Sequence, residues 1–222
     1  MNRRNFLKWC VRVGAGLFIE RIPKFANAGL GNKINIYLTI DDGPRMYMEK
    51  ILNTLEDENP STFFLIGSQI NTNTLPVVYK ALEKGHSVGN HSFTHPFFSG
   101  INLDRAKWEI TKTHDVIENI YNKLNIKNPR LFRFPYGDDG GKNKRNIAEF
   151  LRENGYQTFF WDVDTEDWKY YSNRHKKSLN KIMHNCDTNK EGSIILAHDL
   201  GVTADYIIPS LIENEKYNLK KL

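Results

Sequence analysis

The segment Ile34–Pro44, with the sequence INIYLTIDDGP, is the most informative part of the chain for its fold. Its first part, Ile34–Ile40, is short, apolar and rich in β-branched residues, which predicts a buried strand. Two adjacent carboxylates, Asp41 and Asp42, follow and stand before a Gly-Pro pair that is typical of a turn. Strand ends that carry reactive side chains are typical of barrel-like α/β enzymes.

Strand-like and helix-like segments alternate along the rest of the chain. The predicted strands are Ile34–Ile40, Thr62–Ile66, His86–Asn90, Leu131–Phe134, Thr158–Val163, Ser193–Ala197 and a short closing strand within Lys216–Leu222. The predicted helices are Arg45–Asn59, Leu75–Lys84, Leu103–Leu124, Asn143–Asn154, one after Lys169–Lys181, and Ala204–Glu215. This alternation predicts an α/β fold with parallel strands and helical crossovers. Reactive residues follow at least five strands, which favours a barrel over a doubly wound sheet.

Length and charge restrict the classes of protein. The 222 residues suit a single α/β domain. The formal net charge of +5 is concentrated in the first 28 residues, which hold six basic residues and one acid. The remaining chain has equal numbers of acidic and basic residues, so its charge gives no reason to expect a nucleic-acid partner.

Residues 1–28 resemble an export signal of the twin-arginine type. Arg3–Lys8 (RRNFLK) is similar to the export motif, Val11–Ile19 is modestly apolar, and Ala26–Ala28 fits a small-residue cleavage site. The apolar run is shorter than the ~20 residues that a membrane-spanning helix needs. The alternative is an amphipathic first helix with a chance arginine pair. We expect the twin-arginine export machinery as a partner and a location in the bacterial periplasm or outside the cell.

Two histidines and one acid form a candidate metal site. Three residues separate His91 from His95, a spacing that puts both imidazoles on one side of a helix or tight turn. The alternative is a pair of surface histidines with capping roles. Asp42, from another strand end, completes two histidines and one carboxylate with an open position for water. That ligand set suits catalytic Zn²⁺ and also non-haem Fe(II).

The second acid at the end of the first strand has a separate expected role. Adjacent strand residues point in opposite directions, but a sharp turn at the strand end can aim both carboxylates into one pocket. Asp42 would then bind the metal, while Asp41 keeps a free lone pair and acts as a base on water. The plain alternative is that Asp41 and Asp42 only form a turn.

Five motifs resemble, in order, those of the polysaccharide deacetylases, which are the NodB-homology family or carbohydrate esterase family 4. The motifs are Thr39–Pro44, His91–His95, Arg133–Gly137, Asp162–Trp168 and Leu196–His198. The resemblance runs from about Ile34 to the C-terminus. It implies a deformed (β/α) barrel with parallel strands, a single catalytic domain over residues 29–222, and removal of acetyl groups from N-acetylated sugars.

The resemblance also implies a role for each catalytic position. Asp42, His91 and His95 would bind the metal. Asp41 is similar to the general base, Arg133 to the residue that pairs with and orients this base, and His198 to the general acid.

Further positions carry implied roles around the substrate. The backbone N–H of Tyr136 would help to hold the oxyanion, Leu196 would form part of the pocket for the acetyl methyl group, and Trp168 would wall one side of the groove. Asp167 is similar to the acid that supports the site, and its partner is either Arg133 or His198. After Trp168, a further group is a candidate for stacking on sugar rings or for a solvated loop: Tyr170, Tyr171, Arg174 and His175.

We therefore expect a metal-dependent N-deacetylase of peptidoglycan or a chitin-like glycan. It would use one divalent metal, Zn²⁺ or alternatively Co²⁺, Ni²⁺ or Mn²⁺, and no stable protein partner is predicted. The alternatives are an O-acetyl esterase on xylan or another glycan, a non-enzymatic glycan-binding module, and an Fe(II) oxygenase. The filled reactive positions disfavour a binding module. The order Asp, His, His with a second acid beside the first disfavours the oxygenase.

Overall fold

The computed structural model describes residues 33–172, 177–187 and 189–222. The predicted export signal, residues 1–28, lies outside these ranges. The same holds for Arg174 and His175, two of the candidates for sugar stacking.

Strands and helices alternate as predicted. The strands are β1 (Ile34–Gly43), β2 (Thr62–Leu65), β3 (Ser87–Asn90), β4 (Leu131–Phe132), β5 (Gln157–Thr158), β6 (Val163–Asp164), β7 (Ile194–His198) and β8 (Tyr217–Lys220). The helices are α1 (Met48–Leu55), α2 (Leu75–Glu83), α3 (Leu103–Lys123), α4 (Lys144–Glu153), α5 (Leu179–Cys186) and α6 (Ile208–Glu213). Among the described residues, no helix combines the length and the apolar character needed to cross a membrane.

All strand pairings in the sheet are parallel. The order across the sheet is β5-β4-β3-β2-β1-β7-β6, and β8 pairs with the first half of β1. At the other end of β1, Asp41 aligns with Phe64 of β2 and with His198 of β7. The carboxyl ends of the strands therefore gather at one face. The predicted deformed (β/α) barrel, formed as a single domain, is confirmed.

The barrel is deformed between β5 and β6. The predicted strand Thr158–Val163 is wrong, because only its ends are in strands and residues 159–162 cross between the two edges of the sheet. Aromatic residues favour strands. Here, however, the backbone carbonyls of Phe159 and Phe160 accept hydrogen bonds from Nε and Nη2 of Arg133, at 3.2 and 3.1 Å. These two carbonyls therefore accept hydrogen bonds from the buried side chain of Arg133 and not from a neighbouring strand.

The first helix is shorter than the predicted Arg45–Asn59. Before the helix, the carboxylate of Asp199 accepts hydrogen bonds from the backbone N–H groups of Arg45 at 2.5 Å and Tyr47 at 3.1 Å. These residues therefore form an anchored turn after β1. At the other end, Glu56 ends the helix with a φ of 55°.

The last helix also differs from the predicted Ala204–Glu215. It begins with a π-helical turn, Thr203–Ile207, and continues as α6. Pro209 lies at the start of α6. Proline has no N–H to donate and its ring crowds the carbonyl four residues earlier, which a widened turn accommodates.

The two faces of β1 differ in polarity: one carries apolar side chains and the other carries polar ones. Ile36, Leu38 and Ile40 have no exposed surface and belong to the main hydrophobic core. Strand residues alternate between faces, so Thr39 and Asp41 point the other way, into the barrel. They are also buried, although they are polar. The strand is therefore held by apolar contacts on one side while it presents polar groups on the other.

Candidate active site

The three predicted metal ligands lie together. Asp42 comes from the end of β1, and His91 and His95 come from the turn after β3. Their potential ligand atoms all lie within 4.8 Å of one another. Asp42 Oδ1 is 3.0 Å from His95 Nε2 and 3.5 Å from His91 Nε2.

The orientation of these groups fits a divalent cation. His91 Nδ1 lies 2.9 Å from the backbone carbonyl oxygen of Arg133. A carbonyl only accepts, so Nδ1 carries the hydrogen and the neutral ring presents a lone pair on Nε2. Asp42 Oδ1 is buried and has no hydrogen-bond partner among the described residues. A lone pair and an unpartnered carboxylate oxygen that face each other are repulsive unless a cation lies between them. The donor set suits Zn²⁺ or Fe(II).

A bulge in β1 brings the two adjacent acids to one site. Opposite β2, Asp41 pairs with Phe64 and Gly43 with Leu65, so Asp42 is an extra residue in the ladder. Asp42 has a φ of 69°, in the left-handed region that non-glycine residues rarely adopt. A bulge redirects side chains in this way and is frequent beside active sites. Asp41 keeps the direction of the strand, and its Oδ2 lies 3.6 Å from His91 Nε2, so both acids face the same histidine.

Asp41 is paired with a buried arginine. Arg133 has no exposed surface, and its Nη1 donates to Asp41 Oδ1 at 2.9 Å and to Thr39 Oγ1 at 2.6 Å. The guanidinium also lies over the ring of Phe64, 4.3 Å from its centroid. Burial lowers the pKa of Arg133, and the charge of Asp41 opposes this effect. One oxygen of Asp41 is thus anchored while the other faces the cluster.

Asp167 pairs with His198, which answers the question that the sequence left open. Asp167 Oδ1 lies 2.6 Å from His198 Nδ1, and Oδ2 accepts from the backbone N–H of His198 at 2.7 Å. Oδ2 also accepts from Thr203 Oγ1 at 2.6 Å. The other ring nitrogen of His198, Nε2, does not bind Asp167 and can therefore exchange a proton with another group.

This pairing changes the proton affinity of His198. Burial lowers the pKa of the imidazole, but the hydrogen bond and charge of Asp167, with the charges of Asp41 and Asp42, more than offset burial and raise it to about 9. The pKa of Asp167 is lowered: burial would raise it, but His198 and Thr203 hold the ionised form. His198 is therefore an imidazolium at neutral pH, with its charge balanced by a buried carboxylate.

The remaining predicted residues surround this cluster. Tyr136 has a φ of 59° and presents a ring that is 57% exposed, with its centroid 4.5 Å from that of His95. Trp168 is 44% exposed and directly follows Asp167. Leu196 is 4% exposed and aligns with Thr39 across β1 and β7. The oxyanion role of the Tyr136 N–H stays a prediction.

Four polar residues that support the site were not predicted from the sequence. Thr39 contacts Arg133, Thr203 contacts Asp167, Asp199 anchors the turn after β1, and Glu109 lies beneath the turn that carries the two histidines. Burial raises the pKa of Asp199 to about 6, although two backbone N–H groups oppose the shift. Thr39 and Asp199 adjoin predicted residues and were detectable on that ground. Thr203 and Glu109 lie in helical segments, where polar residues give no signal.

Comparisons with known proteins identify the family. A family model described as "Polysaccharide deacetylase" matches residues 29–159, more than half of the chain. A "Peptidoglycan-N-acetylglucosamine deacetylase" of Bacillus cereus is 33% identical over 184 residues, which cover 81% of this chain and 65% of that protein. "Chitin deacetylase 1" of Saccharomyces cerevisiae is 30% identical over 168 residues, which cover 72% of this chain and 50% of that protein.

A solved structure gives the same result. The "peptidoglycan deacetylase PdaC from Bacillus subtilis" has a TM-score of 0.69 and 32% identity, over 86% of this chain and 89% of that one. The chain spans less than two thirds of the length of the curated Bacillus cereus relative. The match of the family model, the similarity to the relatives and the shared fold agree. The chain belongs to the polysaccharide deacetylase family.

Proposed function

We propose that this chain is a metal-dependent hydrolase that removes N-acetyl groups from an N-acetylhexosamine polysaccharide or oligosaccharide. One observation carries the proposal. The Asp42, His91 and His95 cluster has a second carboxylate, Asp41, at 3.6 Å from His91, and that carboxylate is held by a buried arginine. Metal ligands beside a second carboxylate suit metal-assisted hydrolysis of an amide, in which the cation activates water and the carboxylate takes its proton.

The residues that would hold the metal are Asp42, His91 and His95. The chemistry that a divalent cation supplies in such a site is the acidification of water and the polarisation of a carbonyl oxygen. Zn²⁺ is the proposed metal, with Co²⁺, Ni²⁺ or Mn²⁺ as alternatives.

Asp41 is the proposed general base. Arg133 Nη1 holds Asp41 Oδ1 at 2.9 Å, which fixes the carboxylate and leaves Oδ2 directed at the cluster. Oδ2 can therefore accept a proton from a water molecule at the site. General acid–base catalysis contributes typically ~10²–10⁴-fold to the rate.

His198 is the proposed general acid. The departing amine nitrogen needs a proton, and an imidazolium can donate one. Asp167 holds His198 Nδ1 at 2.6 Å, so Nε2 is the nitrogen that would release the proton. The raised pKa keeps His198 protonated at neutral pH.

The substrate contacts follow from the residues around the cluster. We propose that the backbone N–H of Tyr136 binds the developing oxyanion, that Leu196 lines the pocket for the acetyl methyl group, and that Trp168 packs against the sugar. The two exposed rings, Tyr136 and Trp168, suit a glycan because aromatic faces pack well against the apolar faces of sugars. The names of the Bacillus cereus and yeast relatives refer to peptidoglycan and chitin, which both contain N-acetylglucosamine.

We further infer that the chain is exported by the twin-arginine machinery to the bacterial periplasm or beyond, with residues 29–222 as its catalytic domain. The support is the Arg3–Arg4 pair with the apolar run and small-residue site that follow it.

The first test is acetate release by the metal-loaded protein from N-acetylglucosamine oligomers, from cell-wall glycan and from acetylated xylan. We expect Asp41→Asn to lower release by about 100-fold or more, because the amide keeps the shape but cannot accept the proton. Metal content should stay unchanged. The matched control is Asp57→Asn, which alters an exposed acid paired with Lys84.

Three outcomes would count against this proposal. Full activity in Asp41→Asn would remove Asp41 from the mechanism. Release from acetylated xylan alone would move the proposal to O-acetyl esters. Wild-type protein that binds metal and glycan but releases acetate from none of these substrates would indicate a binding module.

The second test follows the protonation of His198 in the metal-free protein by NMR titration. The wild-type midpoint should lie near pH 9. In Asp167→Asn it should fall well below that of the wild type, because burial remains while the hydrogen-bonded charge is lost. Since the folded pKa of His198 is raised, the stabilisation that its protonation contributes is present in full below about pH 6.5, while Asp167 stays ionised, and is lost as the pH rises through about 9. Asp115→Asn, on the exposed face of α3, is the control, and an unchanged midpoint in Asp167→Asn would refute the assignment.

The third test concerns export. In the double variant Arg3→Lys, Arg4→Lys the positive charge is kept while the arginine pair is lost. We expect cell fractionation to find this variant in the cytoplasm and the wild type outside it. Arg12→Lys is the control, and equal export of the double variant would contradict the inference.

A further inference from the structure

A buried acid on α3 takes no part in the proposed chemistry. Glu109 lies in the interior of α3, has no exposed surface and is outside the five motifs. A buried carboxylate is strongly destabilising unless it is paired and hydrogen-bonded. Its partners therefore indicate what it does.

The partners of Glu109 belong to the histidine turn, defined as residues 91–95. Oε2 accepts hydrogen bonds from the backbone N–H groups of Phe93 at 2.8 Å and Thr94 at 2.7 Å. Oε1 accepts from Thr94 Oγ1 at 2.6 Å. Arg105, one helical turn earlier, donates to Oε1 from Nη2 at 2.7 Å and balances the charge. Both oxygens of the carboxylate are thus engaged.

The histidine turn needs such an anchor because its backbone is strained. Ser92 and His95 have φ values of 67° and 60°, in the left-handed region. Residues in this region cost of order 1–3 kcal/mol each and persist where the surroundings over-determine them. On the other side of the turn, the backbone N–H groups of Gly67 and Ser68 donate to the carbonyl oxygens of Ser92 and Phe93. The turn is therefore held between Glu109 and the segment after β2.

We propose that Glu109 is a positioning residue for the metal ligands. By binding the N–H groups of Phe93 and Thr94, it holds the turn in the one shape that brings the Nε2 atoms of His91 and His95 to 3.2 Å from each other. Without this acceptor, two N–H groups lose their partner and the strained turn relaxes, which separates the imidazoles. This inference rests on the metal site of the proposed function.

The test is metal affinity in Glu109→Met, measured by competition with a chelator, together with the absorption spectrum of the Co²⁺ form. Methionine keeps the approximate length of the side chain but has no oxygen to accept from the two N–H groups of the turn. We expect Zn²⁺ to bind about 10- to 100-fold more weakly, as for other residues that orient metal ligands, and the Co²⁺ spectrum to change. The control is Glu118→Met, the same change at an acid on the same helix that contacts Asn128 and Arg130, and both readouts should match the wild type.

A purely structural role gives a different result. Glu109→Met that unfolds at a lower temperature but binds Zn²⁺ with wild-type affinity and spectrum would overturn the proposal. If Glu109→Met does not fold, Glu109→Asp keeps the charge but shortens the side chain by one methylene, which withdraws the carboxylate from the two N–H groups. It should weaken Zn²⁺ binding several-fold, and unchanged affinity would equally overturn the proposal. Absence of metal binding by the wild type would instead refute the proposed function.

Discussion

Neighbouring residues of a β-strand point to opposite faces, yet Asp41 and Asp42 both have to serve one pocket. The bulge at the end of β1 resolves this conflict, because it inserts Asp42 as an extra residue with left-handed backbone geometry. Asp41 keeps the direction that the strand gives it, into the barrel. Asp42 turns toward the two histidines. The proposed separation of metal ligand from base depends on this irregularity at the end of β1.

The second constraint is the charge buried inside the barrel. Removing one partner of a buried ion pair costs about 3–5 kcal/mol, because the other charge is left without compensation. Arg133 is fully buried and donates to Asp41, to Thr39 and to two backbone carbonyls of residues 159–162. These carbonyls are therefore withdrawn from strand pairing, and the barrel is irregular at the same place where the arginine is satisfied. The same arginine that interrupts the sheet at this place also holds the carboxylate of Asp41 in a fixed orientation.

The sequence predicted much of this arrangement because its signals are local. The alternation of apolar segments gives the α/β barrel, and residues at the ends of β1, β3 and β7 are the ones that the structure brings together. The contacts that were missed are long-range. Nothing near Asp167 distinguishes a partnership with His198 from one with Arg133, since the partners are 31 and 34 positions away. Glu109 is one polar residue in an amphipathic helix, and only the packing of α3 against the histidine turn reveals its contacts.

The proposed cation is most directly tested by anomalous diffraction from crystals of the protein with bound zinc, collected on both sides of the zinc absorption edge. We expect one anomalous peak about 2.0–2.2 Å from Asp42 Oδ1, His91 Nε2 and His95 Nε2, with Asp41 outside the coordination sphere. A peak elsewhere, or a zinc ion coordinated by Asp41 in place of Asp42, would contradict the division of labour between the two acids.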